Sequence, residues 1–280
     1  MGSRSFIGWL SSLSLTGVIL FVLISLMLAS LAGYAIRQVE QRRAARREEA
    51  VEHSQESYLV GSMLGLLALL LAFSFSMALN RYEERRHLVV QEANAIGTAY
   101  LRAQILDEPH RSRLSGLLVE YTDNRIELAS ASPGRGKPLL ARNDRLLTDI
   151  WAAVAASRES ALRHGMTTAL LMTYNEVIDL DTERKVARQI RVPATVMMLL
   201  YGFLIMTALV LGYVLEERRG RMGAGVLFLI LSLYIGIISD LSRPAAGSIL
   251  ESQEPMLMLR QSMKSQPPAA FDRYRSEDQQ

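Results

Sequence analysis

Glu84 and His87 stand at the Glu-x-x-His spacing that places two ligands of a di-iron centre on one helix face. That chemistry needs a second copy of the motif and two more inward carboxylates, and no second Glu-x-x-His occurs in the chain. His53, His110 and His164 are scattered without ligand spacing, so solvated surface positions are expected and no metal site. Cysteine is absent, which excludes disulfides, thiolate metal sites and thiol nucleophiles. The stretch PGRGKP, residues 133–138, lacks the glycine-to-lysine spacing that lets backbone amides cradle a phosphate, and Pro138 follows the lysine directly. It reads as a turn. No G-x-S-x-G elbow, dinucleotide fingerprint or kinase signature appears, so the expectation is a protein that is not an enzyme and carries no cofactor.

A different chemistry is suggested where apolar sequence meets charge. Leu69, Phe73 and Met77 recur at i, i+4 and i+8, followed by Asn80 and Arg81 and then by Glu83, Glu84, Arg85 and Arg86. An apolar constriction beside a charged collar is how channels gate by dewetting and bias the ions that approach. The same apolar stripe is also what a core or lipid-facing helix presents. Asp240 and Arg243, one helical turn apart at the end of another apolar run, can neutralise each other at the membrane surface or take part in permeation.

These residues need membrane helices to hold them. The 280 residues are half hydrophobic and 21% charged, with a mean hydropathy of +0.15, which describes a chain that is part membrane and part aqueous. Four stretches reach the roughly 20 apolar residues a bilayer demands: 13–36, 58–79, 194–215 and 224–241. The first is longer than a signal-peptide core and has only Arg4 before it, so a retained span is expected. Gly61 and Gly65 in the second have the small-xxx-small spacing of close helix packing. Residues 80–193 form a mixed-charge insert, with 17 Lys or Arg against 15 Asp or Glu. This interspersed balance argues against nucleic acid as a partner.

Within the insert, Val89, Ala93, Ile96, Tyr100 and Ala103 lie on one helical stripe. No helix breaker separates Leu66 from Tyr100, which predicts one helix running from the second span into water. Gly97, inside that stretch, costs about 1 kcal/mol relative to alanine unless a neighbour packs closely there. Further helices are predicted from Pro109, over 143–163 and over 167–190, with ASASPGRGKP as the loop between the first two. Residues 242–280 read as a C-terminal tail, disordered after Gln266.

The blocks LLALLLAFSFSMALNRYEERRHLVVQEANAIGTAYLRAQILDEPHRSRLSGLLVEY, 66–121, and IISDLSRPAAGSILESQEPMLMLRQSM, 237–263, resemble a bacterial domain-of-unknown-function family described as bestrophin-like. The resemblance implies an all-α, four-span integral membrane protein with a helical insert between spans two and three. Its remoter similarity to true bestrophins implies a homo-oligomeric, pentameric ion channel with a neck on span two. Phe73 would then correspond to a neck aromatic, while Asn80, Arg81, Tyr82, Glu83 and Glu84 replace an Asp-Arg-Trp-Trp-Glu type collar. Where the family has Asp-Leu-Asp-Arg-Pro, this chain has Asp240, Leu241, Ser242, Arg243 and Pro244, one carboxylate fewer.

The expected function is therefore an oligomeric channel subunit in the bacterial inner membrane, in contact with lipid and inorganic ions. The alternative is a non-conducting sensor or scaffold whose insert binds a partner. Arg37, Arg42, Arg43, Arg46 and Arg47 after span one, and Arg218, Arg219 and Arg221 after span three, put those loops in the cytoplasm by the positive-inside rule. The insert and both termini are then periplasmic, although the bestrophin resemblance implies the reverse.

Overall fold

Leu15–Ala45 forms the first helix, α1, because 31 residues pass without proline and the apolar run closes on Arg42 and Arg43 in the last turn, where cations suit the helix dipole. The computed structural model of the chain describes residues 13–45, 56–131, 134–215, 217–243 and 249–274. The remaining helices are α2 (Glu56–Ala103), α3 (His110–Ala129), α4 (Gly136–Ala156), α5 (Arg158–Arg163), α6 (Thr167–Ala187), α7 (Ala194–Val214), α8 (Arg218–Leu241) and α9 (Glu254–Ser265), followed by a 3-10 turn, Pro268–Tyr274. Among the described residues there is no strand, and α1, α2, α7 and α8 are long and apolar enough to cross a membrane.

The chain divides into two units, Met1–Tyr82 with Arg191–Ile249, and Glu83–Ile190 with Leu250–Gln280. The division falls within α2. In the first unit α1 and α7 run parallel: Phe21 stacks on Tyr201, and further along Arg37 donates to the carbonyls of Tyr213 (2.7 Å) and Val214 (2.9 Å). Those carbonyls lack intrahelical partners at the end of α7, so the buried guanidinium serves as its cap. The helices touch backbone to backbone at Gly33 and Gly212, where an added Cβ would collide with the Leu209 and Ser30 carbonyls respectively. Helix α8 runs antiparallel to α1, with Gly236 against Ile19, Gly225 against Met27, and Arg221 over the Tyr34 ring. Gly61 and Gly65, the pair singled out by spacing, meet nothing within 4 Å.

The second unit is a bundle in which α2, α3, α4 and α6 enclose Ile96, Leu114, Leu118, Tyr121, Ile150, Tyr174 and Val177. The sequence-predicted helix over 143–163 begins earlier, at Gly136, with Pro138 in its first turn, and divides at Ser157, whose hydroxyl donates to the Val154 carbonyl. The expectation of a disordered end after Gln266 is corrected in part. The Tyr100 hydroxyl donates to the Gln266 carbonyl (2.8 Å), Arg111 pairs with Asp272 (2.5 Å), and the 3-10 turn runs to Tyr274; residues 275–280 lie outside the described residues. Buried Met256 and Met263 fix α9 to the bundle, and Leu259 sits 3.2 Å from where a Gly97 Cβ would stand. A helix does approach at Gly97.

Gly33→Ala and Gly212→Ala should each destabilise the membrane unit by about 1–3 kcal/mol, since overpacked backbone has no side chain to shift. Gly61→Ala, which enters open space, should leave the melting temperature in detergent unchanged. Thermal unfolding of the purified variants, followed by circular dichroism, separates the two outcomes.

Candidate functional site

Helix α2 carries most of the residues whose spacing suggested function, and the sequence alternates along it in a way that leaves one face open. Only 11% of the apolar window of α2 is buried, against 44% for α8. Val60, Leu64, Leu67 and Leu71 pack into the first unit's core, while Leu69 (51% exposed), Phe73 (64% exposed), Ser76 and Asn80 lie on the exposed face. Met77 turns partly inward instead, onto the cluster of Ala78, Val192, Ile238 and Leu241, so the three apolar positions are not equivalent.

The charged collar is likewise divided. Glu83, Glu84 and Arg86 are exposed, and Glu83 pairs weakly with Arg86 at 3.8 Å. Arg85 is buried and donates to Glu251 at 2.6 Å, a contact that removes it from the exposed face. Arg81 is half-buried. In the second unit α2 leaves His87, Gln91, Asn94 and Thr98 exposed at 3-4 spacing, and Gln91 and Asn94 floor a groove of about 940 Å³ whose other side carries Glu176, Asp179 and Glu183 of α6. Among the described residues no group of three His, Asp or Glu side chains could hold a metal.

What positions α2 in the second unit is a buried charge network absent from any spacing pattern. Glu92 of α2 is fully buried and receives hydrogen bonds from the Tyr121 hydroxyl (2.7 Å), from Arg125 of α3 (3.1 Å) and from Arg184 of α6. Arg125 also bonds Asp181 (3.1 Å), which accepts from Asn143 of α4 (2.9 Å) and pairs with Lys185 (2.7 Å). All four helices of the bundle therefore meet at two carboxylates. Burial by itself would raise the Glu92 pKa, but Arg125, Arg184 and the Tyr121 hydroxyl outweigh it and hold the carboxyl below its ordinary value. Burial, with Glu92 adding to it, pushes the Tyr121 phenol well up, so the hydroxyl stays protonated and donating.

Asp240 and Arg243 are both buried and act on different segments: Asp240 accepts from the Ile249 amide (2.9 Å), and Arg243 donates to the Leu13 carbonyl. Burial lowers the Arg243 pKa and the Asp240 charge opposes this, so the two do interact electrostatically. Glu84 and His87 sit on the exposed side of α2.

Four membrane-length helices, together with a helical bundle that has its own core, define an integral membrane protein. The chain belongs to the Bestrophin-like family, whose domain matches residues 23–256. Its fold is similar to crystal structures of a bacterial bestrophin homolog from Klebsiella pneumoniae: a tryptophan-to-alanine variant superposes with a TM-score of 0.62 at 18% identity, covering 93% of this chain and 98% of that one. The zinc-phased structure of that homolog gives 0.58 at 17% identity over 89% and 97% of the two chains. A glycine-to-alanine variant described as a membrane protein gives 0.62 at 15% identity over 90% and 97%. Among curated proteins, none matches the chain significantly.

Glu92→Gln should cost about 3–5 kcal/mol, because it leaves two buried guanidiniums facing a neutral amide. Glu83→Gln, at an exposed pair, should cost less than about 1 kcal/mol. Because the folded-state pKa of Glu92 is depressed, its contribution is complete above the ordinary carboxylate value and is lost as pH falls through the folded one. Unfolding titrations of wild type and Glu92→Gln should therefore converge as the pH is lowered below about 4; a constant difference across that range would contradict the assignment.

Proposed function

We propose that the chain is an ion channel subunit in which the exposed face of α2 lines the ion path. The observation that carries the reading is the composition of that face: beside Leu69 and Phe73 it presents Ser76 and Asn80, polar groups with no favourable contact to make with lipid chains. One such helix cannot enclose a path, so the reading requires a homo-oligomer in which several copies of α2 surround an axis, as the family relationship also favours. Phe73, with Leu69 beside it, is then the apolar constriction, and Asn80, Glu83, Glu84 and Arg86 are the collar that ions meet. Met77 contributes from the side through its packing, and Asp240 with Arg243 secures the end of α8 next to it.

The orientation follows the arginine distribution. Arg37, Arg42, Arg43, Arg218, Arg219 and Arg221 favour cytoplasmic loops after α1 and α7, which makes the collar periplasmic. Arg46 and Arg47, which add to this balance, lie outside the described residues. Alkaline phosphatase fused after Gly136 should be active in cells, whereas a fluorescent fusion at the same point should be dark. A bright fusion reverses the orientation.

Phe73→Ala should raise ion flux through proteoliposomes, since it removes bulk from a side chain standing clear of the protein core. Wild type and variant that are both ion-tight under every salt and voltage would favour the scaffold reading instead. Equal conduction by both would remove Phe73 from the constriction and leave the channel.

A further inference from the structure

We infer that the first unit carries a binding site for the phosphate headgroup of an anionic phospholipid, where α1 ends and α8 begins. Because α1 and α8 are antiparallel and Arg221 lies 4.7 Å over the Tyr34 ring, the last turns of one and the first turn of the other stand at the same end of the unit. Arg42 and Arg43 come from α1, Arg218 and Arg219 from α8, and all four are exposed. None of the four has an ion-pair partner among the described residues. Of the neighbouring acids among the described residues, Glu40 is engaged by the Tyr213 hydroxyl at 2.6 Å and Glu217 precedes Arg218 with its side chain exposed, while Arg37 is committed to the end of α7.

Exposed apolar residues on the same two helices point to the occupant. Leu31 (61% exposed) and Ile36 on α1, with Met222 (67% exposed) and Val226 on α8, leave apolar side chains exposed on the turns of the same two helices that lead toward the arginines. A soluble anion has no use for such side chains. A phospholipid satisfies both parts: its acyl chains cover them while the phosphate receives forked guanidinium hydrogen bonds, and the stacked pair of Tyr34 and Arg221 stands at headgroup depth, where tyrosine is favoured. The site does not depend on which side of the membrane it faces, nor on whether the protein conducts.

The full chain, purified and delipidated in a neutral detergent, can be titrated with phosphatidylglycerol and with phosphatidylcholine and observed by native mass spectrometry. Wild type should retain phosphatidylglycerol preferentially. Each basic residue near a charged headgroup changes affinity by roughly fivefold, so Arg42→Gln/Arg43→Gln/Arg218→Gln/Arg219→Gln should lose the preference by more than about a hundredfold, with phosphatidylcholine binding unchanged. Arg42→Gln/Arg43→Gln, confined to the last turn of α1, gives the same comparison with a smaller loss if the fourfold variant does not fold. Equal retention of the two lipids by wild type, or a preference that survives both glutamine variants, overturns the inference. Displacement of phosphatidylglycerol by inorganic phosphate at about 10 mM would make this a soluble-anion site and overturn the lipid assignment.

Discussion

A backbone amide in hydrocarbon has no water to bond to, so every segment of this chain that crosses the bilayer has to satisfy its own peptide groups. That constraint makes the first unit helical and also disposes of most of its side-chain polarity. Ser74, Thr207 and Ser232 donate back to the carbonyls of Leu70, Phe203 and Phe228 at 2.7–2.8 Å, which hides their hydroxyls within their own helices. With no hydrophobic drive between helices in lipid, association rests on close approach, and Gly33 with Gly212 provides it. Helix α2 departs from this pattern. It buries the smallest share of its apolar surface and sets Ser76 and Asn80 outward, a distribution that makes sense if its open face meets water or other copies of itself.

In the second unit water is available outside, yet the bundle places charge inside. Taking Glu92, Asp181, Arg125 and Arg184 out of water is costly, and only their near-complete mutual hydrogen bonding offsets that cost. Such a network ties the four helices to one another at Glu92 and Asp181, and sliding any of them by one residue would break buried hydrogen bonds. The exposed stripe from Glu83 to Thr98 is held to one face of α2 by this arrangement, because Glu92 faces the opposite way.

Much of this was legible in the sequence. Apolar length identified all four spans, the absence of breakers between Leu66 and Tyr100 predicted the long α2, and the cost of glycine at Gly97 signalled a close neighbour, found to be Leu259. The buried network was not legible, because its members lie on four helices separated by up to 92 positions, and charges interspersed in an amphipathic sequence look like a solvated face. By spacing alone Arg85 belongs to the collar, because its partner Glu251 lies 166 residues away. Glycine spacing in lipid shows which helix can be approached but not what approaches it, so Gly61 and Gly65 drew attention while Gly33 and Gly212 make the contact. The residues after Gln266 read as disordered from their polar composition, and contacts made by Tyr100 to Gln266 and by Arg111 to Asp272 hold the first of them to the bundle.

If α2 lines an ion path, its open face meets water inside the membrane. Since the chain has no cysteine, single substitutions can report on this directly. Phe73→Cys, Ser76→Cys and Asn80→Cys, compared with Leu28→Cys of α1 and Ile230→Cys of α8, two exposed positions that face lipid on this account, can be treated with a charged, membrane-impermeant thiol reagent in intact proteoliposomes. Ser76→Cys and Asn80→Cys should be modified at rates well above those of Leu28→Cys and Ile230→Cys, with Phe73→Cys modified more slowly at the constriction. If Ser76→Cys and Asn80→Cys are as inert as the two lipid-facing controls, the face is covered by lipid and the claim is contradicted.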